Sequence, residues 1–173
     1  AGVGLMTTHD LLRWLRAAAA EIAEHRDELT ALDAAIGDAD HGLNMDRGFR
    51  AVLARLDGEQ SAVQSPAEIA KATAMALIST VGGAAGPLYG TFFLRFGAAL
   101  GGANEFGAAE LAAAFRAGLE GLQQRGKASL GDKTIVDALS PACVALEAAV
   151  SAGLLPGAAL DAAAEAAREG MLG

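Results

Sequence analysis

Asp33-Ala-Ala-Ile-Gly-Asp38-Ala-Asp40-His41-Gly42-Leu43-Asn44-Met45 separates two helical patterns, and the rest of the chain is read outward from it. Leu29, Leu32 and Ile36 lead in as an apolar helical face, and Met45, Phe49, Val52, Leu53 and Leu56 lead out at offsets of 4, 7, 8 and 11. The unit is helix, acidic loop, helix. Gly37 and Gly42 are expected to break the helices on either side of the loop and to take positive φ. Three carboxylates fall within eight positions, and packed together without a cation they repel one another and raise at least one pKa. An oxygen-only donor set suits Mg²⁺, which accepts a few carboxylates and completes its octahedron with water and phosphate oxygens. The competing reading is a solvated acidic turn. The third Asp, the paired glycines and the adjoining His41 and Asn44 weigh against it.

The composition supports the helical reading. Apolar residues make up 53% of the 173 positions but aromatics only 5%, and much of the remainder is alanine. Alanine is the strongest helix former, and its small side chain lets helices approach closely. The length is that of one domain, 1–173, with room for a substantial core. The net charge of −8 speaks against a general nucleic-acid binder or a binder of anionic membranes. It leaves nucleotide binding open, because metal ions supply positive charge locally. No uninterrupted apolar run reaches the length of a membrane span. The single cysteine, Cys143, excludes an intrachain disulfide and fits a reducing, cytoplasmic setting. Its place on an apolar helical face makes it a small core residue rather than a nucleophile.

Along the chain, Thr7 or Thr8 is expected to cap a first helix carrying Leu11, Leu12, Leu15, Ala19 and Ile22, with Trp14 at the core or at a subunit contact. Ser65-Pro66-Ala-Glu68 is a helix start, and the helix is expected to run through Ile69, Met75, Ile78 and Val81. Val81-Gly-Gly-Ala84-Ala85-Gly-Pro87-Leu-Tyr-Gly90 then packs four glycines between two helical patterns, with Pro87 placed to start the second. A glycine-rich turn entering a helix offers free N–H groups to an anion. It is no Walker A loop, for it lacks the lysine and the preceding strand. A tight helix–helix connection accounts for it equally well. Phe92, Phe93, Phe96 and Leu100 line the next helix, and Leu111, Phe115, Leu119 and Leu122 another. The polar run Gln124–Thr134 leads to a helix through Ile135, Val136, Leu139, Cys143, Leu146 and Val150, with Thr134 as its cap. Leu160, Ala164, Ala167 and Met171 mark a final helix, and no strand is expected. The sum is an all-α, antiparallel up-and-down bundle of about eight helices. The three polar, glycine-bearing loops, near 37–44, 82–90 and 125–134, are each two helix lengths apart. In such a bundle they emerge at one end.

Three segments together carry a family pattern: Ile36-Gly-Asp-Ala-Asp-His-Gly-Leu-Asn-Met45, Val81-Gly-Gly-Ala-Ala-Gly-Pro-Leu-Tyr-Gly-Thr91, and Arg125-Gly-Lys-Ala followed by Gly131-Asp-Lys-Thr134. The chain resembles the nucleotide-binding L subunits of dihydroxyacetone kinases (DhaL), in order, from about Leu11 to Met171. The resemblance implies a barrel of about eight helices holding ADP or ATP at one end. Asp33, Asp38 and Asp40 match the family's ligands for a pair of Mg²⁺ ions. His41, Gly42, Leu43, Asn44, Ala84, Ala85, Gly126, Thr134 and Ile135 match positions that contact the nucleotide. It further implies that ADP is a resident cofactor, rephosphorylated by a phosphohistidine-carrying M subunit, and that the γ-phosphoryl group passes to dihydroxyacetone held on a K subunit. No catalytic side chain is expected in this chain. A transcription regulator and a second copy of the chain are further candidate partners. Two departures stand out. Ala85 occupies a position where serine is common, and the family's basic, glycine-rich closing segment does not follow the last helix here.

Two other functions fit less well. One is an ATP-dependent kinase component for another short keto-sugar or for a fatty acid, although the fatty-acid family usually reads Asp-Gly-Asp-Thr-Gly where His41 stands here. The other is a nucleotide-sensing module that binds a transcription regulator.

Overall fold

The computed structural model describes residues 4–57 and 64–173. Among them are eight helices: α1 (Thr8–Glu24), α2 (Arg26–Asp33), α3 (His41–Leu56), α4 (Pro66–Thr80), α5 (Ala85–Leu100), α6 (Ala108–Gly126), α7 (Ile135–Ser151) and α8 (Pro156–Leu172). All but α1 pack chiefly on their neighbours in sequence, α1 lying mainly on α3, in the all-α up-and-down arrangement expected. No helix among the described residues is long and apolar enough to cross a membrane.

Local chemistry sets the helix starts. At α1 the Asp10 carboxylate accepts from the Thr7 backbone N–H at 2.9 Å. At α4, Ser65 Oγ accepts from Glu68 N while Glu68 accepts from Ser65 N at 2.7 Å, with Pro66 at the first helical position. At α7, Thr134 Oγ1 accepts from Val136 N and Asp137 accepts from Thr134 N at 3.0 Å. The helix expected at Pro87 begins two residues earlier, at Ala85. Pro87 falls in the first turn, where a missing N–H costs no helical bond.

The core is one cluster threaded by Leu15, Ile69, Leu77, Phe96, Leu119, Leu122 and Leu146, all fully buried. Each such side chain contributes roughly 1.5–3 kcal/mol on transfer from water. Trp14 closes the cluster from the outside, its ring 5.7–5.9 Å from those of Phe93, Phe96 and Phe115. Cys143 lies in this core, and burial pushes its thiol up to about 11. Between α6 and α7, Arg116 grips Glu147 with two hydrogen bonds of 2.7 and 2.8 Å.

One expected face turns differently, and two others become visible only in three dimensions. Leu32 and Ile36 are exposed, Ile36 at 94%, and no residue of α2 is buried. The helix stops at Asp33, so Ile36 lies beyond the pattern it was read into. In α4 the inward face is Ile69, Ala70, Thr73, Ala74 and Leu77, while Met75 and Ile78 stand out. The cause is close packing on α5: a Cβ at Gly97 would lie 2.9 Å from the Ala70 Cβ, and one at Gly90 would run into Ile78. In α8 the inward residues are Pro156, Ala159 and Ala163, and Leu160, Ala164 and Met171 are exposed. There Gly170 sits against the Asp137 carbonyl and Pro141, which has no N–H to return to that carbonyl. Two short strands, β1 (Met6–Thr7) and β2 (Glu105–Phe106), also form, paired antiparallel with Met6 opposite Phe106. Two residues are too few to show an alternating pattern in sequence.

The topology gives the bundle two unlike ends. One gathers the starts of α3, α5 and α7; the other gathers the starts of α1, α4, α6 and α8. At the second end the β1–β2 pair ties α1 to the α5–α6 connection, and Thr8 Oγ1 donates to the Gln64 carbonyl at 2.7 Å.

Candidate functional site

The first end holds all three polar loops. At the α2–α3 junction one oxygen from each of Asp33, Asp38 and Asp40 lies within 4.8 Å of the others. Asp33 closes α2, and its Oδ2 accepts from the backbone N–H of Asp40 at 3.0 Å and of His41 at 3.3 Å, so it caps α3 from seven residues upstream. Asp40 occupies the N-cap position of α3. Asp38 is exposed, and a hydrogen bond with the Asp40 carboxyl, followed by the charges of Asp40 and Asp33, holds its carboxyl above the usual carboxylate range. The upward shift records the mutual repulsion of the cluster, which a cation would relieve.

The glycines of this loop work otherwise than expected. Neither Gly37 nor Gly42 has positive φ; the left-handed residue is Ala39, at φ 59°. Gly42 lies inside α3, in contact with α2, and a Cβ there would run into the Arg26 carbonyl oxygen. A Cβ on Gly37 would strike the Asp33 carboxylate. Both glycines provide room, and the conformational cost falls on Ala39 between two of the carboxylates.

The second loop lies beside the first. Gly82 and Gly83 are exposed, Gly83 at φ 66°, and Ala84 and Ala85 lead into α5. A Cβ placed on Gly82 would be 3.6 Å from Asn44 Nδ2, which puts the Asn44 amide directly over this loop. Buried Gly86 brings α5 against the Val81 carbonyl, where no Cβ would fit. The third loop reaches the second through Leu88 of α5, which packs on Gly126 at the end of α6. Lys127 and Lys133 both take left-handed backbone, at φ 54° and 57°, with Gly131 at 91°. Asp137 holds that loop by accepting from Gly131 N at 2.6 Å and from Thr134 N at 3.0 Å, and these bonds keep its carboxyl below the usual range.

His41, Gly42, Leu43 and Asn44 thus form the first turn of α3, Ala84 and Ala85 the start of α5, and Thr134 and Ile135 the start of α7, with Gly126 behind. Three helix N-termini face one end, each presenting N–H groups and the positive end of its dipole. Beside them stands a carboxylate cluster. Such a pairing suits an anion that arrives with its own cations.

One residue beside these loops went unread in the sequence. Arg47, one turn after Asn44, donates from its Nη2 to Asn44 Oδ1 at 2.6 Å and from its Nε to the Thr80 carbonyl at 3.1 Å. The i,i+3 spacing to Asn44 was a signal for the first bond. The second joins positions 33 residues apart, which no local pattern marks.

Comparison with known proteins gives a consistent picture. Residues 35–172 match the model of the DAK2 domain. The chain is 44% identical over 126 residues to the PEP-dependent dihydroxyacetone kinase 2, ADP-binding subunit DhaL, of Listeria innocua, a match covering 73% of this chain and 58% of that one. With the corresponding ADP-binding subunit DhaL of Escherichia coli the identity is 41% over 157 residues, 91% of this chain and 74% of that subunit. Among solved structures, the dihydroxyacetone kinase from C. freundii in complex with AMP-PNP and Mg²⁺ matches with a TM-score of 0.76 at 29% identity, covering 92% of this chain and 28% of the kinase. The chain spans little more than half of the Listeria subunit and about a quarter of the C. freundii kinase.

Proposed function

Since this chain belongs to the DAK2 domain family, we propose that it is the ADP/ATP-binding phosphotransferase component of a dihydroxyacetone kinase. The observation that carries the reading is the convergence of the Asp33, Asp38 and Asp40 carboxylates beside the starts of α3, α5 and α7. The donor set, all oxygen and mutually repelling, fits Mg²⁺. Asp33, Asp38 and Asp40 would hold two such ions against the nucleotide phosphates. When bound, the metal neutralises phosphate charge and fixes the γ-phosphoryl group for in-line transfer.

The chain's own residues do the remaining work by position. The N–H groups at Ala84–Ala85 and Thr134–Ile135 and the first turn of α3, His41–Asn44, receive the phosphate oxygens, and Gly126 leaves space behind them. Phosphoryl transfer asks for positioning and charge stabilisation rather than a covalent protein group. The one cysteine is buried at the core with a raised pKa, far from serving as a nucleophile. The acceptor hydroxyl therefore belongs to dihydroxyacetone held on a K subunit, and a phosphohistidine M subunit restores ATP from bound ADP. The names of the Listeria and E. coli relatives, PEP-dependent and ADP-binding, support that donor. A second reading, with free ATP as donor, draws on the C. freundii kinase complex with AMP-PNP.

Reconstitution tests both. Chain, K subunit, M subunit and a phosphoenolpyruvate-fed phosphohistidine relay should yield dihydroxyacetone phosphate with only catalytic ADP present, and the chain should keep ADP and Mg²⁺ through gel filtration. Turnover only with stoichiometric ATP selects the second reading. Failure to bind either nucleotide with Mg²⁺ overturns both.

A further inference from the structure

Arg47 has no role in the account so far, yet it is the side chain that joins the first two loops. Its guanidinium is a planar fork of donors with no acceptor. One arm, Nε, is braced on the carbonyl of Thr80, the last residue of α4, an acceptor that the helix itself leaves unpaired. The other arm, Nη2, meets Asn44 Oδ1 at 2.6 Å. Because arginine only donates, it must face the amide oxygen, and the orientation of the Asn44 side chain is settled by chemistry. The Asn44 amide lies over Gly82, where a Cβ would be 3.6 Å from Nδ2 and 3.9 Å from Oδ1; with the oxygen engaged by Arg47, the NH₂ group is the part left free to donate there. Gly82 is exposed and carries no side chain to take up those two donors.

We infer that Arg47 is a positioning residue for the phosphate end of the nucleotide. Braced on Thr80, it locks the Asn44 amide with its oxygen engaged, so that the NH₂ group donates into the cleft. An ionised phosphate oxygen accepts only, so a locked donor favours it over a hydroxyl group, which can both give and take. The lock also makes the geometry between the loops at 37–44 and 82–86 depend on one side chain that reaches both. The inference rests on the nucleotide-binding reading above and deepens it by assigning how one phosphate contact is oriented.

The test is a double-mutant cycle on the full chain, read by ADP affinity in the presence of Mg²⁺ and, in parallel, by affinity for adenosine, with circular dichroism and melting to confirm folding. Arg47→Ala should weaken ADP binding by about tenfold, the size of one charge-assisted contact, and leave adenosine binding within about twofold. Asn44→Ala should do the same, and the double variant should lose no more than either single one. Arg47→Lys keeps the charge but not the fork, and should recover less than half of the loss on a logarithmic scale. Additive losses would overturn the inference, since Arg47 would then be touching phosphate itself. So would full recovery with lysine, or equal losses for ADP and adenosine. If wild-type chain binds no ADP, the nucleotide-binding reading fails first, and that outcome is distinct from additive losses in a chain that does bind.

Discussion

The two ends of this bundle are built from different materials. At the far end, where α1, α4, α6 and α8 begin, Trp14, Phe96, Phe106 and Phe115 line a mostly apolar cavity of about 630 Å³, together with Asp10, Arg13 and Arg16. At the near end the side chains shrink to glycine, alanine, aspartate and asparagine, and the helices meet through backbone, as at Gly42 on the Arg26 carbonyl and Gly86 on the Val81 carbonyl. One end is held by area removed from water, the other by close approach and by hydrogen bonds to exposed peptide groups. The contrast shows how a helical bundle separates stability from binding along its length. The large aromatic side chains gather at one end, and the proposed site lies where helix starts leave N–H groups free.

That division is open to direct attack. Phe96→Ala, at the aromatic end, should cost about 3–5 kcal/mol of stability in a chemical melt, as removal of a fully buried ring does, while the folded fraction keeps its ADP affinity within about twofold. A parallel loss of affinity would show that the two ends are coupled. At the near end, Asp38→Ala and Asp40→Ala should weaken Mg²⁺-dependent ADP retention beyond the roughly 100-fold that a residue behind a metal ligand supplies. Their melting temperature without ligand should hold or rise, because each removes one of three repelling charges. Unchanged retention would sink the metal assignment. Gly42→Ala crosses the division. It should destabilise by about 1–3 kcal/mol through overpacking against α2 and also reduce ADP retention, since Asp33 and Asp40 sit on the two helices it forces apart.

The smallest effect expected is a pH dependence at Asp137. Bonds from Gly131 and Thr134 depress its folded-state pKa, so the unfolded chain takes up the proton first, near the ordinary value of about 3.9. Its contribution is present above that pH and lost as the pH falls through the lower folded value. The melting-temperature gap between wild type and Asp137→Asn should accordingly narrow from pH 5 to pH 3. A gap independent of pH would mean that the folded and unfolded chains bind the Asp137 proton equally, so that the bonds from Gly131 and Thr134 do not favour the carboxylate.

What could be read from sequence divides along the same line as the molecule. Helix starts were legible because capping is local chemistry: Ser65-Pro66-Ala-Glu68 and Thr134 fall where their hydrogen-bonding preferences put them. The grouping of Asp33, Asp38 and Asp40 was legible from spacing, and the common end of the three loops from counting helices. Inward faces were not legible in α4 and α8, where the residues that marked the helices include the exposed Met75, Leu160 and Met171. In an alanine-rich bundle the closest helix contacts run through Ala and Gly, and large side chains are left at the flanks of the contact. Ala39 escaped notice because left-handed backbone was assigned to the glycines beside it. The Arg47–Thr80 bond and the β1–β2 pair escaped because they join distant positions, through one hydrogen bond and through two residue pairs.

The alternation of helix direction has one more consequence. All three loops of the proposed site cross between helices at the near end, so the described turns after α5 and α7 at the far end carry none of its residues. The Gly101–Asn104 and Ala152–Leu155 turns are exposed there, with Gly101 and Gly153 at φ 63° and 79°. Exposed turns of this kind are where chains tolerate cutting and insertion. The architecture is thus a cartridge with one working face: a reporter, a tether or an entire second domain can be spliced through the α7–α8 turn, the site staying on the opposite face and open to whatever must dock there.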